Sequence, residues 1–321
     1  GPYIERDHER YGINLLKKNY SVKMLDYTAW INPNFWKLYS KKIFKSDEHI
    51  VISCKKDFLK FVSQINAAIV IDTMFNSNNK YTNWMKKLLK NKNCLFFDLD
   101  LGLIPLPKKN IGQILIDLFR TIIKPEKFAY KIYNILQKKY YNFIQQNSDF
   151  SISGGLVSLT TKQAKYNINA HAFDYDVYLD IKNKPKNSKS DYAVFLDEDI
   201  VFHPDGKFIL DAEPALNVNQ YYPTLFNFFK IFEIETGLKI KFAVHPKCYN
   251  ENLPNLLKDI DYSIGNTAEL VRNSSVVLLH STTSVSYAIM FKKPTIFLTS
   301  NELSKSWLGP SIDNFAKILN S

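Results

Sequence analysis

Two histidines and a run of hydroxyls carry much of the chemistry legible in this sequence. His245 follows the β-rich run Ile240–Val244 and stands directly before Pro246 and Lys247. His280 follows the apolar run Ser275–Leu279 and opens the cluster Ser281-Thr282-Thr283-Ser284. Val285 to Phe291 has helical character, and Pro294–Leu298 gives another short strand. Strand, polar turn, helix and strand in that order mark a parallel sheet. Ligands of such sheets bind beyond the carboxyl ends of the strands, where both polar clusters fall. A hydroxyl-rich turn opening a helix offers N–H and O–H donors to an anion, with the helix dipole helping. That is a phosphate site in outline. The plain alternatives are a satisfied turn histidine and an ordinary Ser/Thr helix cap.

A second cluster is acidic. The buried-strand run Tyr192–Leu196 ends in Asp197-Glu198-Asp199, and His203-Pro204-Asp205-Gly206 follows. A carboxylate at a strand end can serve as general base toward a hydroxyl. Asp197 is the first choice by position, with Glu198 and Asp205 next; solvated loop acids are the competing reading. Gly265 to Glu269 opens another helix, and Glu269 is placed to accept from ribose hydroxyls. Further upstream, Gly154-Gly155 follows a short strand and permits close backbone approach to a ligand, or makes a tight turn. His171, Asp174 and Asp176 add polar groups just before the polar stretch Asp180 to Asp191.

His245-Pro246, followed 35 residues later by His280 and its hydroxyls, resembles the HP and Ser/Thr motifs of bacterial GT-B glycosyltransferases that use CMP-activated sugars. Sialyltransferases, polysialyltransferases and Kdo transferases are the groups concerned. Asp191 to Leu298 also looks like capsule and O-antigen transferases. The resemblance covers about a third of the chain well. It implies an α/β, GT-B-like fold: two Rossmann-like domains whose parallel sheets face an interdomain cleft. It further implies an inverting, metal-independent transfer of a nonulosonate or Kdo from CMP to a glycan acceptor in surface-glycan synthesis. His245 would meet the leaving phosphate, with Lys247, Gly265, Glu269, His280 and Ser281 to Ser284 on the donor side. Gly154, Gly155, His171 and Asp174 would lie on the acceptor side. The family's acidic motif is two acids and a glycine. Here it reads Asp197-Glu198-Asp199, with Asp205-Gly206 a second partial match, so the identity of the base stays open. UDP-, GDP- or dTDP-sugars and CDP-polyols are alternative donors, and a non-catalytic glycan-binding subunit is the reading from another class. Asp98-Leu99-Asp100 resembles the metal-binding DxD of GT-A transferases, but an aspartate ending a buried strand is the commoner explanation.

The remaining features bound these readings. The 321 residues suit two α/β domains, and 45% apolar residues are enough for two cores. The net charge of +11 points to an anionic partner. No basic block or RNA-binding signature accompanies it, so nucleic acid is not expected. Nucleotide sugar, a glycan or lipid-linked glycan acceptor, and peripheral contact with anionic membrane are. Cys54, Cys94 and Cys248 have no metal or CxxC spacing and suit a reducing cytoplasm. No signal peptide or membrane-spanning run stands out, Gly1-Pro2 reads as a protease scar, and no cofactor is implied. The expected elements are helices at 4–18, 32–46, 55–66 and 79–91 and strands at 21–27, 67–72 and 94–99. No strand precedes the first helix. Ile111–Gln146 is basic and aromatic and breaks at Pro125 into two helices, facing either the core or anionic lipid. The helix Tyr221–Thr236 ends at Gly237. The domain boundary is expected in the polar stretch, giving domains 1–185 and 186–302 and a final helix, 303–321, that crosses back.

Overall fold

A parallel sheet needs crossover connections, and this chain builds its sheets from short apolar runs separated by helices. The computed structural model describes residues 2–73, 80–101, 147–154, 164–185, 191–203, 214–248 and 251–320. The expected helices within Ile111–Gln146 lie outside them. Two units each have their own contacts: Gly1–Lys55 with Phe173–Ser321, and Lys56–Ala172.

The N-terminal segment begins with two short helices, Glu5–Arg10 and Ile13–Leu16, where one was expected. Gly12, at φ +60°, separates them. Two three-residue strands follow, β1 (Met24–Asp26) and β2 (His49–Val51), paired in parallel. Between them, the helix Pro33–Leu38 is capped by Asn32, whose side chain accepts the Phe35 N–H.

Lys56–Ala172 holds a four-stranded parallel sheet: β3 (Ile69–Asp72), β4 (Leu95–Asp100), β5 (Phe150–Gly154) and β6 (Tyr166–Ala170), in that spatial order. The alternation of β4 turns Phe96, Asp98 and Asp100 inward. The register sets Asp72 opposite Asp98, Asp98 opposite Ser151 and Asp100 opposite Ser153, all buried. Lys86, 3% exposed, lies on the same side. Its Nζ donates to Ser148 Oγ at 2.8 Å and stands 3.7 Å from Asp72 and 3.9 Å from Asp98. Asp98 of the DxD triplet thus faces a buried lysine. Gly154 closes β5 where an added Cβ would sit 3.4 Å from the Ala172 backbone.

The other unit contains the five strands that position the candidate site. These are β7 (Tyr192–Leu196), β8 (Lys239–Val244), β9 (Asp261–Ile264), β10 (Val276–Leu279) and β11 (Thr295–Phe297). Their spatial order is β11-β10-β7-β8-β9, all parallel. The chain therefore winds outward from β7 to β9, then returns to β7's other side. β7 is central, and its Ala193, Val194 and Phe195 are fully buried, as a strand covered on both faces requires. The helix Val218–Thr236 lays Tyr221, Tyr222, Leu225 and Phe229 on this sheet, with Phe229 edge-on to Phe195 at 5.3 Å. It ends at Gly237, φ +71°, as the sequence implied.

The partition differs from the single boundary expected in the polar stretch. The first 55 residues and the helix Phe173–Lys182 group with the C-terminal sheet. Polar contacts account for this. Arg10 lies over the Phe173 ring at 5.0 Å and 3.6 Å from Asp174. Tyr39 donates to the Lys247 carbonyl at 2.5 Å, and Lys42 to that of Cys248. The C-terminal residues form two helices, Asn301–Lys305 and Gly309–Leu319. Their Leu303, Leu308 and Ile312 join the core of the five-stranded sheet, and Phe315 stacks on Phe297 of β11. Among the described residues no helix is long and apolar enough to cross a membrane.

Gly309 starts the last helix where a Cβ would meet the Ser304 carbonyl oxygen at 2.2 Å. Gly309→Ala should cost about 1–3 kcal/mol or more, because backbone cannot yield as a side chain can. A urea melt reads the loss directly; an unchanged midpoint would show that this packing is not constraining.

Candidate functional site

The site lies at the carboxyl ends of β7, β8 and β10. In an open parallel sheet the crevice forms where the strand order reverses, here between β7 and β10. The chain leaves β7 as Asp197-Glu198-Asp199, leaves β8 as His245 and leaves β10 as His280-Ser281.

Asp197 is 4% exposed and holds two strand ends together. Its Oδ1 accepts the Asp199 N–H at 2.9 Å and its Oδ2 the His245 N–H at 3.1 Å. Its own N–H donates to the Ala243 carbonyl at 3.0 Å. Burial pushes its carboxyl up to about 6 despite these donors. Glu198, half-buried, reaches across the crevice to β10, where it accepts the Ser281 N–H and, at 3.1 Å, the Ser281 hydroxyl. Burial, with Asp197 adding its charge, pushes Glu198 up to about 7. Asp199 is 1% exposed, and among the described residues neither carboxyl oxygen accepts a hydrogen bond. Burial and Asp197 raise it to about 8, against opposing contributions from the Cys248 thiol and Lys42.

His245 accepts the Lys247 N–H at its Nδ1, 3.3 Å away. In the neutral ring this places the proton on Nε2, so the imidazole is a donor there. His203 stands beside it, with ring centroids 4.7 Å apart. His280 is committed differently. Its Nδ1 donates to the Leu298 carbonyl at 2.7 Å, and its Nε2 accepts from the Tyr221 hydroxyl at 3.0 Å. Burial holds it below the usual imidazole range. It ties β10 to the chain after β11 and to the overlying helix.

No protein-family description and no curated protein matches this sequence. Distant likenesses exist among solved structures. The glycotransferase of kitacinnamycin shares 6% identity over 96% of this chain and 80% of its own, at a TM-score of 0.43. UDP-GlcNAc 2-epimerase from Methanocaldococcus jannaschii shares 11% over 98% and 95%, at 0.43. E. coli heptosyltransferase WaaC, solved with ADP-2-deoxy-2-fluoro heptose, shares 13% over 79% and 100%, at 0.30.

The expected site residues divide accordingly. Asp197, Glu198, His245, Lys247, His280 and Ser281 gather at the ends of three adjacent strands. Ser281 and Thr282 are buried, Thr283 is exposed and Ser284 half-buried. Where the sequence suggested a phosphate at Ser281, the structure has the Glu198 carboxylate. Gly265 and Glu269 are exposed, at the end of β9 and on the helix Thr267–Asn273. Of the acceptor-side set, Gly154 and His171 belong to the four-stranded unit and Asp174 to the other. Asp174 accepts from Ser286 and, at 3.3 Å, from Tyr287, which makes it a tie between helices. Asp205 and Gly155 lie outside the described residues. Asp199 and His203 were not singled out by sequence reasoning. Their signal was present in the third consecutive acid and in a second His-Pro pair.

All three carboxyls bind their protons more tightly folded than unfolded. The folded state therefore holds more protons between about pH 4, the ordinary carboxylate range, and the raised values. Stability from these groups is full below about pH 4, falls as pH rises from there, and levels off as each group passes its raised value near 6, 7 or 8. Asp199→Asn, which tolerates the left-handed backbone, should raise the melting temperature more at pH 8 than at pH 5, and hardly change it near pH 3. A gain that does not grow with pH would mean Asp199 ionises without penalty.

Proposed function

We propose that this chain is a glycosyltransferase that takes its sugar from a nucleotide donor at the carboxyl ends of β7, β8 and β10. The observation that carries the reading is the meeting of enclosed carboxyls and imidazoles there: Glu198 at about 7 beside Asp197, and the His245 ring at a strand end whose backbone N–H donates to Asp197. A sugar transfer with inversion needs a base for the acceptor hydroxyl and donors for the departing phosphate.

Glu198 fits the base better than Asp197, because Asp197 is buried with both oxygens on backbone N–H groups, whereas Glu198 is half-buried and holds one of its oxygens only to the rotatable Ser281 hydroxyl. A carboxyl near 7 takes a proton in the transition state yet is ionised in a useful fraction of molecules. The acceptor oxygen, losing its proton to Glu198, forms the new bond to the anomeric carbon. The old carbon–oxygen bond breaks with its electron pair passing to the phosphate. His245 Nε2–H and the Lys247 ammonium meet that charge without calling on a metal. The HP and Ser/Thr resemblance favours a CMP-linked nonulosonate or Kdo as donor. It also favours a surface glycan as acceptor, at the cytoplasmic face of a bacterial membrane. A UDP-, GDP- or dTDP-sugar is the second reading. A purely glycan-binding protein has no use for a carboxyl poised near neutrality.

The first test is thermal stabilisation by CMP, CDP, UDP, GDP and dTDP, since a ligand of the native state raises the melting temperature by mass action. Stabilisation by CMP alone supports the CMP-sugar reading, and stabilisation by one diphosphate points to the second. Glu198→Gln should then lower transfer about 10²-fold or more while leaving nucleotide stabilisation intact. Near-normal turnover in that variant would place the base elsewhere.

A further inference from the structure

We infer that His203 is a second imidazole of the phosphate site, gripping the same phosphoryl group as His245. This rests on the nucleotide-sugar reading above and adds a residue to it. The sequence supplies two His-Pro pairs, His203-Pro204 and His245-Pro246, beyond the ends of neighbouring strands. The turn that carries His203 is built step by step. Asp197 Oδ1 accepts the Asp199 N–H at 2.9 Å and folds the chain back at the end of β7. Asp199 takes a left-handed φ of +52°, an unfavourable setting for a residue with a side chain. The Phe202 N–H donates to the Asp199 carbonyl at 2.9 Å and closes the turn.

Apolar anchors then fix it. Ile200 and Val201 are 6% and 8% exposed in the core, and Phe202 stacks on Tyr222 at 6.5 Å. What this delivers is His203 against His245, ring centroids 4.7 Å apart and planes tilted by 54°, both residues half-buried. Asp197 governs both rings, since its two oxygens hold the turn leading to one and the backbone N–H of the other. Two imidazoles at this distance repel when both are protonated. A phosphoryl dianion bound by both removes that repulsion and receives a charge-assisted hydrogen bond from each.

The test is calorimetric titration of the full chain, its His203→Ala and His245→Ala variants and the double variant, with CMP and with cytidine. Should UDP be the stabilising nucleotide, UDP and uridine replace them. Each single variant should weaken the nucleotide about tenfold, as loss of one bond to a charged group does, and leave the nucleoside unchanged. The double variant should lose less than the product of the two, because both rings serve one group. His203→Asn serves as the second variant if the alanine variant melts early. The inference is overturned if His203 variants bind nucleotide as the parent does while His245→Ala is weakened. It is overturned equally if nucleotide and nucleoside weaken together, which marks a packing role. A parent protein that ignores every nucleotide would instead defeat the nucleotide-sugar reading itself, and this inference with it.

Discussion

The enclosed carboxylate of Asp197 is the interaction on which the rest of the site depends. A carboxyl buried at the end of a central strand is costly unless donors surround it. Here the donors are the backbone N–H groups of Asp199 and His245. Satisfying the one group therefore fixes two loops, from β7 and β8, against each other. Remove those bonds and the turn holding His203 and the strand end holding His245 lose their shared anchor. The residue that sequence position favoured as the base thus also frames the turn and the strand end around it.

The same logic sorts the other polar groups. His280 has both ring nitrogens engaged by the Leu298 carbonyl and the Tyr221 hydroxyl, and it is 3% exposed. Its hydrogen-bonding capacity is used up inside the fold, so it packs the end of β10. Glu198 lies across the reversal of strand order and fills the donors of Ser281. That turn already has an anion, supplied by the chain itself. In the proposed reading the phosphate is received instead at the end of β8, beside His245 and Lys247.

Much of the five-stranded sheet was legible in the sequence because its central strands are continuous apolar runs with polar ends. YAVFL, KFAV and SVVLL stand out, and the run YAVFL stops at acids that could not continue inside. Gly237 announced its helix end for the local reason that only a left-handed residue fits there. What escaped notice depends on distant partners. β9, Asp-Tyr-Ser-Ile, has little apolar signal because it is an edge strand, half-exposed along its length. β6 reads Tyr-Asn-Ile-Asn-Ala and is largely exposed as well. The grouping of the first 55 residues with the C-terminal sheet rests on contacts such as Tyr39 with Lys247 and Arg10 with Asp174. No local pattern announces contacts across more than 160 residues. His203 was missed for a related reason: its neighbour in space, His245, lies one strand away.

Electrostatics link this scaffold to the chemistry proposed for it. Three consecutive carboxyls enclosed together cannot all ionise at neutral pH, and burial holds them near 6, 7 and 8. Fully ionised, they would repel a phosphate bound at the neighbouring strand end. Partly protonated, they tolerate it, and the approaching anion in turn favours their protonated forms. Glu198 can then act as a base only while the local charge allows it to ionise. In the proposed reading, imidazoles meeting the phosphate restore that condition. On that reading, base and phosphate donors are coupled through the hydrogen bonds of Asp197, and neither half of the site would work independently of the other.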